Sequence, residues 1–314
     1  MLSRFLSVTA RRTRHPARRL HAGAGAVVAP PPQALVQSGI RPESLPRHVA
    51  VVTDGNRRWA QARGMLTAEG HEAGRRALER TIWLSHAWGI RALTVFAFSQ
   101  ENFGRPKAWI FLLPSLTFLL SSAPTRTDLV FIHCSCIPLN LKMEVDYLMG
   151  MIERTIRDNI DEYARNGIRM HVIGDPSRRP ASLQNAAREA EEMTRNNSQF
   201  HLMLATCYSG RWDIVRACRE LAGEVQGNLL RPEDIDESSL ASKLATSVAG
   251  EFSCPDLVIR TSGEVRLSNF LMWQSAYSEL YFTDVMWPDF GEAEYLQALT
   301  SFQNRERRFG QRNA

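Results

Sequence analysis

Two arginines follow an aspartate, a glycine and an asparagine in Asp54-Gly55-Asn56-Arg57-Arg58-Trp59, directly after the β-branched run HVAVVTD. Asp, Gly and Asn tolerate the tight turn that ends a strand, and the N–H groups opening the next helix can cradle a phosphate. Guanidinium forks bind polyanions through paired donors, and an aspartate carboxylate is a hard oxygen ligand able to hold Mg²⁺ against them. The same residues also suit an N-capped surface turn, so the chemistry depends on what else converges there. A second group, Arg260 near the end of the run DLVIRT with Arg266 and Ser268 after it, suits a second phosphate group.

Such loops need a frame. Short β-branched runs at HVAVVTD, 91–98, 168–175, 201–208, 256–261 and 279–285 alternate with helical periodicity at about 70–88, 143–166, 180–195 and 211–224. Six strands with intervening helices predict one α/β domain with a central parallel sheet, its ligands beyond the carboxyl ends of the strands. Apolar stripes at Gly74, Ala77, Leu78 and Thr81, and at Val145, Leu148, Ile152, Ile156 and Ile160, are core faces or the walls of an apolar channel.

The chain has 314 residues, 44% hydrophobic and 23% charged, which excludes disordered and fibrous classes. Its net charge of +5 comes from the first 42 residues, which hold seven Arg and no acid. The remainder has 31 basic against 33 acidic residues, so no nucleic-acid footprint is expected on the folded part. Residues 1–42 read as a disordered transit peptide for a plastid or, alternatively, a mitochondrion, leaving 43–314 as the folded domain. Cys134, Cys136, Cys207, Cys218 and Cys254 form no CxxC pair, so neither a structural zinc site nor a disulfide framework is implied. Residues 108–142 look foreign: Leu, Phe, Ser, Ile and Cys are in excess, and the apolar run from about Ala108 to Leu120 is broken by Pro114. That run is too short to cross a bilayer.

The stretches HVAVVTDGNRRWA, GHEAG, FAFSQENFGRP, DLVIRTSGEVRLSNFLMWQSAYSELYFTDVMWPDF and RERRFG together resemble the cis-prenyltransferase family, the undecaprenyl and dehydrodolichyl diphosphate synthases. The resemblance implies a Mg²⁺-dependent enzyme that condenses isopentenyl diphosphate with an allylic diphosphate to a Z-polyprenyl diphosphate, on a parallel α/β fold with a hydrophobic prenyl tunnel. It implies Asp54 as central carboxylate and metal ligand, with Glu279 as second metal ligand. Gly55, Asn56, Arg57, Arg58 and Trp59 would take the allylic diphosphate, and His71 would assist its departure. Ser99, Gln100, Glu101, Phe103 and Arg105 would form the substrate loop around Asn102, which would guide the proton removed from isopentenyl diphosphate. Arg260, Arg266, Leu267 and Ser268 would bind that second diphosphate. Arg308 and Gly310 would reach across a homodimer, and a heteromer with an accessory subunit is the alternative. Membrane contact would come through the product.

Several residues depart from the family pattern. Thr53 stands in place of Met, Thr67 in place of an Arg, Phe103 in place of Trp, and CYSGR in place of NYGGR. Removing 108–142 would restore ENFGRPKMEVDYLM, which marks that segment as an insertion from a retained intron or gene-model error and raises the alternative of an inactivated or non-catalytic subunit. A generic nucleotide-binding module would instead carry GxGxxG or GKS after the first strand, and neither occurs there.

Overall fold

The computed structural model describes residues 33–104 and 126–306. Six strands, β1 His48–Val52, β2 Ala92–Ser99, β3 Ile168–Ile173, β4 Phe200–Tyr208, β5 Leu257–Arg260 and β6 Glu279–Phe282, form one sheet in the order β3-β4-β2-β1-β5-β6. Every pairing is parallel. Parallel strands covered on both faces must be apolar along their whole length, which is why β1 is buried at all five positions.

The helices are α1 Gln33–Gln37, α2 Asn56–Gln61, α3 Thr67–Ala87, α4 Arg126–Arg165, α5 Ala181–Met193, α6 Gly210–Gln226, α7 Glu237–Lys243 and α8 Glu292–Gln303. Alternation along the strands sorts the core into two clusters. Val49, Val51, Leu93, Val95, Leu202, Leu204, Leu257 and Ile259 pack with apolar residues of α3, α4, α5 and α8 on one face. Ala50, Val52, Phe96, Met203, Ala205 and Val258 meet Phe252, Phe270 and Leu271 on the other. The single α/β domain with a six-stranded parallel sheet is as the sequence predicted.

Two boundaries differ from expectation. Residues 33–42, assigned to the leader, are folded: Leu35 and Ile40 are buried in the first cluster, and the Arg41 N–H donates to Gln303 Oε1 at 2.8 Å. Burying those two side chains stabilises the domain by roughly 2 kcal/mol each. The helix expected from Met143 starts instead at Arg126, so the last part of the foreign segment continues into a 40-residue helix about 60 Å long. The rest of the leader, residues 105–125, and Arg308 and Gly310 lie outside the described residues. Among the described residues no helix is long and apolar enough to cross a membrane.

Candidate active site

The turn after β1 is fixed from three sides. The Asp54 N–H donates to Thr261 Oγ1 at 3.0 Å, while the Asp54 carbonyl accepts from Thr261 Oγ1 at 2.8 Å and from the Trp287 N–H at 2.9 Å. Gly55 then turns at φ 106°, and a Cβ there would stand 2.9 Å from the Ser262 Cβ, so only glycine lets α2 start at this place. Gly74 performs the second close approach: a Cβ on it would fall 2.3 Å from Asn56 Oδ1, and its carbonyl accepts from Trp287 Nε1 at 2.9 Å. This brings α3, with His71, against the start of α2.

Asp54 is the hub of the charges. Its Oδ2 accepts from Arg260 Nη2 at 3.0 Å, and its Oδ1 lies 3.6 Å from Arg58 Nη2. The Arg260 side chain is only 5% exposed, and its Nη1 also donates to the Arg266 carbonyl at 2.5 Å and Ser268 Oγ at 2.6 Å. Four non-glycine residues of the loop after β5, Ser262, Ser268, Asn269 and Leu271, adopt left-handed backbone, each at a cost of roughly 1 kcal/mol or more. Strain concentrated on the loop that presents Arg266 and Ser268 is held by a surrounding network. The Asn269 amide donates to Glu101 Oε1 at 2.6 Å and Ser209 Oγ at 2.7 Å, and its Oδ1 accepts from the Arg211 N–H at 3.0 Å. One side chain thereby ties the loop after β2, the CYSGR turn and the Arg266 loop together.

Two cavities meet at Asp54. One, of about 550 Å³, is lined by the polar Asn56, Arg57, Arg58 and His71 and by the apolar Leu78, Leu148, Met151, Ile152 and Leu204. The other, of about 680 Å³, is polar, with Ser99, Arg211, Arg260, Arg266, Ser268 and Asn269. Thr53, Asp54, Ala97, Phe98, Asn102 and Arg266 line both. In the first cavity Asn56 Oδ1 and His71 Nε2 are buried without a hydrogen bond to protein, and Glu144 Oε1 lies 3.9 Å from the imidazole. Of the two apolar stripes, Gly74, Leu78, Leu148 and Ile152 line this cavity, whereas Ala77, Ile156 and Ile160 are packed in the core.

The expected set of site residues is largely assembled, with corrections. Asp54, Gly55, Asn56, Arg57, Arg58, His71, Ser99, Glu101, Asn102, Arg260, Arg266 and Ser268 converge on the two cavities. Glu279 does not join them. It opens β6 opposite Leu257, while Asp54 lies two residues beyond Val52, which is level with Arg260. Five residues of rise separate them, on the order of 15 Å along the strands. Glu279 pairs instead with Arg305 Nη1 at 2.6 Å. Trp59 turns outward, donating to Asp289 Oδ1 at 2.7 Å beneath the Arg63 guanidinium. Leu267 packs on the second core cluster, and Gln100 lines neither cavity. Phe103 supports the substrate loop from behind, edge-on to Phe98 with ring centres 5.0 Å apart and the Arg178 guanidinium over it. Arg105 lies outside the described residues. Asn269, Arg211 and Glu264 are site residues that the sequence reading left out, although the first follows Ser268 directly and the second closes CYSGR.

Among the described residues no group of three or more His, Cys, Asp or Glu forms a metal cluster. The donor set suits Mg²⁺ all the same, since this ion keeps several waters and is held by one or two carboxylates plus substrate phosphates. Asp54, at the junction of both cavities with its side chain about one-third exposed, can supply that single carboxylate.

The site is an arginine-rich pair of cavities beyond the carboxyl ends of an open parallel sheet. The model of the undecaprenyl diphosphate synthase family matches residues 52–127 and 140–310. The chain is 43% identical over 292 residues to cis-prenyltransferase 4, chloroplastic, of Solanum lycopersicum, covering 93% of this chain and 81% of that protein. It is 45% identical over 268 residues to the dehydrodolichyl diphosphate synthase CPT5, chloroplastic, of the same plant, covering 85% and 74%. Among solved structures, lavandulyl diphosphate synthase from Lavandula x intermedia, in complex with dimethylallyl diphosphate, matches with a TM-score of 0.71 at 39% identity over 86% of this chain and all of that one. The chain belongs to the cis-prenyltransferase family and is a prenyl-group transferase. Between residues 52 and 310 the family match is interrupted at 128–139, within the segment 108–142 that looks foreign in the sequence.

Proposed function

We propose that this enzyme joins isopentenyl diphosphate to an allylic diphosphate, Mg²⁺-dependently, giving a Z-polyprenyl diphosphate. The observation that carries the reading is the pair of cavities meeting at Asp54, one dominated by charged and polar side chains and one with an extended apolar wall. An allylic substrate has an anionic head and a hydrocarbon tail and suits the second kind; the small isopentenyl diphosphate suits the first. Arg57, Arg58 and the N–H groups opening α2 hold the allylic diphosphate, while Arg260, Arg266, Arg211 and Ser268 hold the other.

As the allylic C–O bond breaks, positive charge grows on the allyl group and negative charge on the leaving diphosphate. Fixed guanidiniums aimed at that anion stabilise the transition state, and a single such donor is worth on the order of 3 kcal/mol. Bound Mg²⁺, held by Asp54 and the phosphates, would neutralise the same leaving charge. His71 adds a buried N–H at the diphosphate end of the apolar cavity. The isopentenyl double bond forms the new C–C bond to the allyl cation and then loses a proton. Amides are poor bases, so Asn102 at the junction orients the path by which that proton reaches the departing diphosphate. Leu78, Leu148, Met151 and Ile152 receive the growing chain in a tunnel, each added CH₂ contributing about 0.8 kcal/mol when buried.

The names of the chloroplastic relatives and the Arg-rich leader support a plastid location. A homodimer completed by the C-terminal Arg308 and Gly310 is part of this reading; a heteromer with a non-catalytic partner is less favoured because Asp54, Asn102 and both arginine groups are in place here. The test is incorporation of labelled isopentenyl diphosphate onto geranyl and farnesyl diphosphates with Mg²⁺, on chains with and without 108–142, followed by determination of the new double-bond geometry. Z products abolished by Asp54→Ala support the reading; no product from either chain rejects it.

A further inference from the structure

The loop after β5 carries a carboxylate with no part in the scheme above. Ser262 and Gly263 adopt left-handed backbone at φ 75° and 77°, and their N–H groups donate to the Val285 carbonyl at 2.8 Å and the Thr283 carbonyl at 2.9 Å. This pinned reversal returns Glu264 over the end of β1, where it lines the apolar cavity beside Arg58 and Arg266. Its two oxygens face different guanidiniums. Oε1 lies 3.7 Å from Arg58 Nη2, and Oε2 is ion-paired with Arg266 Nη1. Those arginines belong, in the reading above, to the two different diphosphates.

A guanidinium N–H engaged by a carboxylate is closed to a phosphate oxygen, and a carboxylate beside a bound diphosphate repels it. Asp54 makes a comparable bridge between Arg58 and Arg260, but its charge is the one that suits Mg²⁺. Glu264 opposes the diphosphates without that compensation. Each condensation also liberates inorganic pyrophosphate, and the elongated diphosphate must change subsite before the next one. A pocket lined by Arg57, Arg58, Arg211, Arg260 and Arg266 would retain a small polyanion unless something competed for it.

We propose that Glu264 is an internal competitor for diphosphate, whose carboxylate bridges Arg58 and Arg266, weakens the hold of the site on inorganic pyrophosphate and takes back the arginines as that product leaves. The proposal rests on the prenyl-transfer reading of the site. It makes a prediction opposite in sign to that of a carboxylate that merely orients the two arginines, whose loss would weaken anion binding.

The experiment is calorimetric titration of inorganic pyrophosphate, with Mg²⁺, into the full chain as wild type, Glu264→Gln and Glu264→Ala, with thermal unfolding of each to verify folding. Both substitutions should tighten pyrophosphate about tenfold, and added pyrophosphate should inhibit turnover at correspondingly lower concentration. Affinity unchanged or weakened in the folded variants overturns the proposal and leaves the diphosphate reading standing. A wild-type chain that binds no pyrophosphate overturns both.

Discussion

Arg260 offers the sharpest perturbation, because almost nothing about it is solvated. Its guanidinium, 5% exposed, donates to Asp54 Oδ2 at 3.0 Å, to the Arg266 carbonyl at 2.5 Å and to Ser268 Oγ at 2.6 Å. Arg260→Ala removes three charge-assisted hydrogen bonds, one of them an ion pair, and leaves the Asp54 carboxylate without its closest cation. Losing one preorganised donor of this kind lowers the rate by about 10²–10³-fold, on the order of 3–4 kcal/mol in the transition state. The Arg266 loop, whose backbone carbonyl Arg260 holds, should lose its position as well. The expected outcome is a fall in kcat/KM for isopentenyl diphosphate of about 10²–10³-fold, read in steady state with each substrate varied in turn. Arg260→Lys should recover little of it, since an ammonium cannot reach three acceptors in the planar fork geometry. A loss below tenfold, or one confined to the allylic diphosphate, would refute the assignment of Arg260 to the polar cavity.

Two further outcomes follow from the fold. Truncating to 43–314 should lower stability by about 4 kcal/mol relative to 33–314, because Leu35 and Ile40 leave the core; equal urea midpoints would contradict the packing of α1. Burial holds the His48 and His171 imidazoles down to about 3, against 6.5 when unfolded, so their contribution to stability is complete above pH 6.5 and is lost as pH falls toward 3. At pH 5 this amounts to about 2 kcal/mol for each histidine, visible as a drop in denaturant midpoint that His171→Phe should reduce.

The strands were legible because parallel strands buried on both faces are written as largely apolar runs, as in β1, β2 and β5, while the edge strand β6 is only partly buried and opens on Glu279. Their spatial order was not, since nothing in a strand's own residues names its neighbour. The start of α4 was hidden for a local reason: Pro138 lacks the N–H for an internal helix bond and argues for a break, yet the helix runs from Arg126. The α1 segment was obscured by its basic surroundings, although Leu35 and Ile40 supply the apolar contacts. In the site, Asp54, Arg260 and Ser268 were legible as polar groups just after strand ends. That Glu279 opens β6, apart from Asp54 of the same chain, was not legible, because a motif gives sequence distance and not which end of a strand a residue occupies. Asn269 and Glu264 gave little signal, as their roles depend on how a left-handed turn aims them across the fold, which the sequence does not state.

The central claim is that one chain binds two diphosphates at once on either side of Asp54. It is tested most directly by calorimetric titration of isopentenyl diphosphate into enzyme already saturated, with Mg²⁺, by an unreactive allylic thiolodiphosphate. One equivalent of each ligand per chain should bind together, with isopentenyl diphosphate binding lost in Arg260→Ala and that of the allylic analogue largely kept. Mutual exclusion of the two ligands, or a stoichiometry of one diphosphate in total, would contradict it.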